Sequence, residues 1–153
     1  MIAHRAGDLD KAEKDYRKVL ELVPYHPGAM NNLAWILCED RKKPDAALDI
    51  AMQGVSRYPT DPHLLNTRGV IFFRLGMLQQ ARKDFEQCVG FSDNEPATQA
   101  RTLLCLGRVL MREGQSGPAR ARLNEALAID HQRKILTAAE HAEAERLVRA
   151  SSQ

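Results

Sequence analysis

Residues 65–85, LNTRGVIFFRLGMLQQARKDF, carry two helical patterns that are separated by a single glycine. Apolar and small side chains recur on one face of each pattern, at Leu65, Gly69 and Phe72 in the first and at Ala81 and Phe85 in the second. Gly76 stands between the patterns, where a left-handed residue would end one helix and let the next begin at Met77. The stretch therefore predicts two antiparallel helices joined by a tight turn.

The small residues of this stretch predict a close approach of the two helices. Gly69 and Ala81 have little or no side chain, so the helix axes can come within packing distance where these residues lie. Phe72 and Phe85 then fill the space beside the crossing, since each can bury a large apolar area. We expect Gly69→Leu to overpack the crossing at a cost of about 1–3 kcal/mol.

The spacing of these residues resembles that of a known repeat family. The motif Leu65-x2-Arg68-Gly69-x2-Phe72 followed by Ala81-x3-Phe85 is similar to the tetratricopeptide repeat (TPR) signature, with Arg68 where that signature usually has leucine. Equivalent alanines recur along the chain at spacings of 35, 34 and 38 residues, at Ala12, Ala47, Ala81 and Ala119. These spacings lie close to the family period of about 34 residues.

The resemblance implies an all-α fold in which about three complete helix pairs form an α-α superhelix. The expected organisation is a single domain over residues 1–153, with a half repeat at 1–26, complete repeats at 27–61, 62–95 and 96–131, and a capping helix at 135–150. In the half repeat, Gly7 is interpreted as the turn and Tyr16 as the aromatic packing residue, while residues 1–5 supply only the last turn of a first helix.

The C-terminal segment is predicted to seal the last repeat. Thr137 and Glu140 have the spacing of a capping box, in which each side chain accepts a hydrogen bond from a free backbone amide at the start of a helix. The narrow apolar stripe expected on this helix is formed by Ala139, Ala142, Leu147 and Val148.

Composition and charge argue against several classes of function. A formal net charge of +2 is too small to predict binding to nucleic acid or to an anionic membrane. The longest apolar run, residues 70–73, is far too short to span a bilayer. Three cysteines without a C-x-x-C pair, Cys38, Cys88 and Cys105, predict buried thiols in a reducing, cytoplasmic compartment.

No pattern typical of an enzyme is present in the sequence. The five histidines are scattered, and there is no H-E-x-x-H motif, no Cys/His ligand spacing and no glycine-rich phosphate loop. We therefore expect no catalytic residues, no metal site and no cofactor.

In the TPR family, the first helices of successive repeats line a concave groove, and this implies a set of partner-binding positions. The positions are Asn31, Trp35, Asn66, Phe73, Arg74, Arg101, Arg108, Met111 and Arg112. Because a guanidinium group can form two hydrogen bonds with one carboxylate, the arginines favour a peptide that contains acidic residues. Trp35 and Phe73 would bind the apolar side of such a peptide.

Each of these residues also has a structural interpretation. Trp35 and Phe73 would equally suit packing between neighbouring first helices, and the arginines would equally suit a solvated face. Asn31 and Asn66 would hydrogen-bond either a ligand backbone or water. The asparagine, lysine and arginine set with which some TPR domains bind chaperone C-termini is not reproduced, because Trp35, Thr67 and Cys105 replace members of it and only Arg101 fits.

Two functions remain open at the level of sequence. The first is a non-catalytic protein-interaction scaffold that binds a partner segment in the groove. The second is the terminal segment of a longer TPR array, or a self-associating unit that forms a homo-oligomer through the open face of its N-terminal helix, which carries Tyr16.

Overall fold

A computed structural model of the chain describes residues 6–151, and the side chains of residues 8–151. Within this range the chain forms eight α-helices and no strand. The helices are α1 (Ala6–Leu22), α2 (Pro27–Trp35), α3 (Pro44–Arg57), α4 (Pro62–Arg74), α5 (Leu78–Phe91), α6 (Pro96–Arg112), α7 (Ser116–Arg133) and α8 (Ala138–Ala150). A single π-helical segment, Ile36–Asp40, continues α2 towards α3.

The helices are laid side by side as an α-α superhelix, as the sequence predicts. Three complete pairs, α2 with α3, α4 with α5 and α6 with α7, follow the half repeat α1, and α8 follows the last pair. The first helices also contact one another in a row, α2 with α4, α4 with α6 and α6 with α8. We call the surface formed by α2, α4, α6 and α8 the first-helix face. No helix within residues 6–151 combines the length and the apolar character needed to cross a membrane.

The predicted close crossing in the central pair is present. A Cβ atom added to Gly69 would lie only 2.6 Å from Cε1 of Phe85, whose ring is 1% exposed. Gly107 meets Leu123 in the next pair in the same way, with a Cβ-to-Cδ2 distance of 2.6 Å. Both crossings therefore depend on the absence of a side chain at the glycine.

The turns between paired helices each contain a residue with a left-handed backbone conformation. Gly76 and Gly114 adopt φ values of 76° and 75° in the turns that follow α4 and α6. In the first complete pair Lys42 takes that role, with a φ of 56°, and the π-helical segment accommodates one extra residue. Gly7 was predicted to be a turn, and this is wrong: helix α1 begins at Ala6 and includes Gly7, since glycine permits a left-handed turn without requiring one. The predicted role of residues 1–5 lies outside the described residues.

Arg68, at a position where the TPR signature usually has leucine, forms an ion pair within the central repeat. Its Nε and Nη2 atoms each donate a hydrogen bond of 2.7 Å to Asp84, which is 2% exposed. The guanidinium also lies 5.7 Å from the centroid of the Phe72 ring. The buried carboxylate is therefore compensated by a two-point contact across the α4–α5 pair.

Helix α8 is connected to α7 by a capped turn. The predicted capping box of Thr137 and Glu140 is present. Asp130 accepts 2.7 Å hydrogen bonds from the backbone amides of Ile135 and Leu136, and its other carboxylate oxygen lies 2.6 Å from Nδ1 of His141. Burial alone would raise the pKa of Asp130, but the Leu136, His141 and Ile135 contacts outweigh burial and hold the pKa below its usual value.

The apolar stripe of α8 differs in part from the prediction. Ala139 and Ala142 are exposed, whereas Ala144 is fully buried in a cluster with Leu104 and Leu123. Leu147 and Val148 pack against the same cluster, as expected. The difference arises because the helix rotates to place a small residue at its closest contact with α6 and α7, and sequence periodicity does not specify that rotation.

Candidate partner-binding groove

The first-helix face contains a cavity of about 410 Å³. Its lining comes from α4, α6 and α8, with one further side chain, Phe85, from α5. The lining residues with apolar side chains are Val70, Phe73, Phe85, Met111 and Leu147, and the others are Arg74, Cys105, Arg108, Arg112 and Glu143. The cavity thus combines a largely apolar wall with three cations and one carboxylate.

The structure brings together five of the nine residues that the sequence assigned to a partner-binding groove. Phe73, Arg74, Arg108, Met111 and Arg112 line the cavity. Asn31, Trp35, Asn66 and Arg101 do not. Trp35 is partly buried on α2, so it does not lie beside Phe73 as a second anchor within this cavity.

Arg74 is engaged by a carboxylate from the preceding repeat. Its Nε and Nη2 atoms donate hydrogen bonds of 2.7 and 2.5 Å to the two carboxylate oxygens of Glu39. Burial raises the pKa of Glu39, but the hydrogen bond and the charge of Arg74 outweigh burial and hold that pKa below its usual value. The pair joins the π-helical segment after α2 to the end of α4.

Arg108 is engaged in the same manner by the C-terminal helix. Its Nε atom donates a 2.9 Å hydrogen bond to Glu143, and its Nη2 atom bonds the second carboxylate oxygen. Burial lowers the pKa of Arg108, but the Glu143 hydrogen bond and charge outweigh burial and raise it. Both residues are about one-third exposed, so the pair lies at the edge of the cavity and not in the core.

Arg101 also contacts the C-terminal segment. Its Nη2 atom donates a 3.3 Å hydrogen bond to the backbone oxygen of Ile135, and its Nε atom lies 3.7 Å from Glu140. Since Glu140 and Glu143 are three residues apart on α8, this helix places two carboxylates against two arginines of α6.

Arg112 differs from the other three arginines. Its guanidinium carbon lies 4.6 Å from the centroid of the Phe73 ring, and the side chain is exposed at the end of α6. Among the ion pairs formed by residues 6–151, none includes Arg112. The side chain is therefore held by stacking while its charge remains without a carboxylate partner in the described chain.

Asn31 and Asn66 form hydrogen bonds within the chain, a role that the sequence analysis did not predict. Oδ1 of Asn31 accepts a 2.7 Å hydrogen bond from Thr67, and Nδ2 of Asn66 donates a 2.8 Å hydrogen bond to Thr102. Each bond spans 36 residues and joins first helices of adjacent repeats. The asparagines therefore set the stacking of one repeat on the next.

The acidic residues that form ion pairs with the arginines were not identified by the sequence analysis. Glu39 and Arg74 are 35 residues apart, and Arg108 and Glu143 are also 35 residues apart. That spacing is one repeat period, so each pair places opposite charges at equivalent positions of neighbouring first helices. Opposite charges separated by one period were therefore the signal in the sequence that could have identified these contacts.

The cysteines are unpaired, and their environment makes them poor nucleophiles. Cys38 and Cys88 are buried and Cys105 is partly buried. Burial raises the pKa of Cys38 to about 12 and that of Cys88 to about 11, and burial also raises the pKa of Cys105. In the described part of the chain, no group of three or more histidine, cysteine, aspartate or glutamate residues is arranged to hold a metal ion.

The N-terminal helix leaves apolar surface in contact with solvent. Leu9, Ala12, Tyr16 and Val19 on α1 are only partly buried. Tyr16 packs against the cluster around Leu33, and its hydroxyl accepts a 3.0 Å hydrogen bond from Asn32. Leu22, the last residue of the helix, is 71% exposed, and Val23 and Tyr25 after it are 51% and 49% exposed. The predicted N-terminal face is thus partly covered by α2 and partly open.

Comparison with known proteins identifies relatives of this fold. Family models described as tetratricopeptide repeat match residues 2–62 and 62–95. The TPR repeat-containing protein PA4667 of Pseudomonas aeruginosa is 31% identical over 98 residues, which is 63% of this chain and 17% of the relative. The chain thus spans less than a fifth of the length of that relative.

Solved structures share the arrangement of helices at low sequence identity. The Pseudomonas aeruginosa PilF structure has a TM-score of 0.75 at 19% identity and covers 95% of this chain and 66% of its own. MamA from Desulfovibrio magneticus has a TM-score of 0.68 at 20% identity, covering 83% and 69%. The first TPR of Spaghetti (RPAP3), bound to the HSP90 peptide SRMEEVD, has a TM-score of 0.70 at 18% identity, covering 83% and 90%.

Proposed function

Because this chain belongs to the tetratricopeptide repeat family, we propose that it is a non-catalytic protein-interaction scaffold whose first-helix face binds a segment of a partner protein. The observation that carries the proposal is the 410 Å³ cavity between α4, α6 and α8. Its volume falls within the range of pockets that receive side chains and small ligands. The three unpaired cysteines favour a reducing, cytoplasmic compartment for this activity.

The apolar wall would supply most of the binding free energy. Phe73 and Met111 are partly exposed, and both pack on the cluster around Phe72 and Leu110, which holds them in place. An apolar side chain of a partner that covers them would remove surface from water, at about 25 cal/mol per Å². Aromatic and methionine side chains are well suited to such contacts because they offer large, adaptable apolar surfaces.

The proposed ligand is not an acidic peptide of the kind bound in the RPAP3 structure, which holds the HSP90 peptide SRMEEVD. Arg101 is the residue that fits the family's carboxylate-binding set, and here it contacts Ile135 and Glu140. Trp35, Thr67 and Cys105 occupy other positions of that set, and Thr67 already donates its hydroxyl to Asn31. A strongly acidic tail would therefore find few free donors on this face.

Peptide selection can test the scaffold function. A library of random 12-residue peptides displayed on phage would be selected against the full chain, and enriched peptides would be synthesised for fluorescence anisotropy. We expect Phe73→Ala and Met111→Ala to weaken binding, because both side chains line the cavity. The matched control is Met52→Ala, since Met52 is 46% exposed on α3 and does not line this cavity.

Thermal melts monitored by circular dichroism would verify that each variant is folded. Equal binding by the wild type and by both cavity variants would contradict the proposed site. The proposed site would also be contradicted if no enriched peptide depended on Phe73 or Met111 for binding.

We infer a second candidate function from the open N-terminal face: the chain serves as the terminal segment of a longer array, or as a homo-oligomer. The exposed Leu22, Val23 and Tyr25 and the half-covered stripe of α1 favour this candidate, as does the match to 17% of a longer TPR protein. Size-exclusion chromatography with light scattering would test self-association. A mass of one chain at all concentrations would exclude the homo-oligomer.

A further inference from the structure

We propose that the cavity recognises a partner segment carrying one acidic residue beside an apolar one, and that Arg112 is the residue that binds the acid. The inference rests on the proposed function of the first-helix face. It differs from the sequence-based expectation, in which four arginines favoured an acidic peptide in general. The difference comes from the contacts that three of those arginines already make.

Arg74 has little capacity left for a ligand carboxylate. Both of its donor atoms that face Glu39 are used in a two-point contact of 2.7 and 2.5 Å. The remaining N–H donors, on Nη1 and Nη2, could reach a ligand carboxylate only beside the negative charge of Glu39. Repulsion between the two carboxylates offsets part of the attraction to the guanidinium, so this contact contributes little affinity.

Arg108 is also paired with a carboxylate, and this pair affects the orientation of a bound ligand. Glu143 bonds both Nε and Nη2 of Arg108 and is itself part of the cavity lining. A ligand carboxylate placed near this end of the cavity would meet the negative charge of Glu143. The acidic group of a ligand is therefore directed away from α8.

Arg112 lies one helical turn beyond Arg108 on α6 and has the properties that the other arginines lack. Its guanidinium carbon lies 4.6 Å from the centroid of the Phe73 ring, and this cation–π contact restrains the group before a ligand arrives. The contact occupies none of the N–H donors with a carboxylate, so they are available for a two-point contact with a ligand carboxylate. The side chain is also exposed, so a ligand can reach it.

The apolar requirement follows from the residues next to Arg112. Phe73 lies beneath the guanidinium, and Val70, Met111 and Leu147 continue the apolar wall towards α8. A ligand whose carboxylate contacts Arg112 would place its neighbouring side chain over this wall. The expected motif is therefore one aspartate or glutamate next to a leucine, methionine or aromatic residue.

The selected phage peptides serve as the probe, and three variants separate the roles of the arginines. Arg112→Gln removes the charge of the proposed acid-binding residue. The double variants Glu39→Arg with Arg74→Glu, and Arg108→Glu with Glu143→Arg, exchange the partners of an ion pair and so keep the pair while moving its cation. Circular dichroism melts would verify that all three are folded.

We expect enriched peptides to carry a single acidic residue beside an apolar one. Their affinity should fall about tenfold or more in Arg112→Gln, the loss expected for one hydrogen-bonded charge contact. In both exchange variants, replacing the acid of the peptide by its amide should still lower the affinity about tenfold, because Arg112 is unchanged in them. Replacing the acid of the peptide by its amide should remove the difference between wild type and Arg112→Gln.

The outcomes distinguish this inference from the proposed function. Peptides that require Phe73 and Met111 but bind Arg112→Gln as tightly as wild type would overturn the inference and leave the scaffold function standing. An exchange variant that binds the acid and the amide peptide equally would also overturn the inference, because Arg74 or Arg108 would then contact the acid. The absence of any cavity-dependent peptide would overturn both.

Discussion

The crossing at Gly69 allows a quantitative test of the fold. In Gly69→Ala, the new methyl group would lie 2.6, 2.8 and 3.0 Å from three carbons of the Phe85 ring. Normal contact distances between carbon atoms are about 3.5–4.0 Å, so the helices must separate or the ring must move. Phe85 is 1% exposed and packed in one cluster with Ala81, Leu106 and Leu110, so a movement of the ring disrupts these contacts.

The magnitude follows from two opposing terms. Overpacking a well-packed site costs about 1–3 kcal/mol. Replacing glycine by alanine within a helix contributes about 1 kcal/mol of stability through backbone entropy. Gly90→Ala measures the second term alone, because Gly90 lies within α5 and a Cβ there would contact nothing within 4 Å. The difference between the two variants should therefore be about 1–3 kcal/mol.

Urea denaturation followed by circular dichroism would measure both variants. We expect Gly90→Ala to be slightly more stable than wild type and Gly69→Ala to be less stable than Gly90→Ala. Adding Phe85→Leu should reduce the cost of Gly69→Ala, because the ring that meets the methyl group is then absent. If Gly69→Ala matched Gly90→Ala in stability, the close crossing described for α4 and α5 would be refuted.

Two further predictions concern the turns. Lys42→Gly should stabilise the chain by about 1 kcal/mol in a urea titration. The reason is that Lys42 has a φ of 56°, and a left-handed backbone costs about 1–2 kcal/mol for a residue with a side chain. The control Lys43→Gly, at a φ of −118°, should give no such gain. The pKa of Asp130 is lower in the folded state, so the folded state binds fewer protons than the unfolded state. The stabilisation that Asp130 contributes is complete above the unfolded pKa of about 3.9. It is lost as the pH falls through the pKa of the folded state. The melting temperature of the wild type should therefore decrease more steeply below about pH 4 than that of Asp130→Asn. Replacing the exposed Asp93 by asparagine serves as the control. Parallel pH profiles for wild type and Asp130→Asn would contradict the role assigned to Asp130.

Much of the fold could be predicted because local signals and the repeat period agree. Prolines at the first turn of α2, α3, α4 and α6 mark helix starts, and Gly76 and Gly114 adopt the left-handed conformation expected at helix ends. The phase of the small residues predicted the crossing at Gly69, and Gly107 forms an equivalent crossing in the next pair. Such features act within one or two helices, so a sequence window contains all the residues concerned.

The errors have a common cause. Gly7 lies within α1 instead of the expected turn, and Lys42, which has a side chain, adopts a left-handed conformation before α3. Glycine allows a left-handed turn, but the packed helices decide where one is needed. Ala139 and Ala142 are exposed because the rotation of α8 depends on its fit against α6 and α7. Periodicity alone does not specify that rotation.

The sequence by itself determined that the chain is a row of paired helices, and it identified half of the cavity lining: Phe73, Met111 and three arginines. The tertiary structure alone decided which of those arginines remain available. Glu39 and Glu143 lie 35 residues from Arg74 and Arg108 and meet them only after the repeats have stacked. A charge is neutralised by whatever lies within a few ångströms of it, and that distance is set by the superhelix and not by position along the chain.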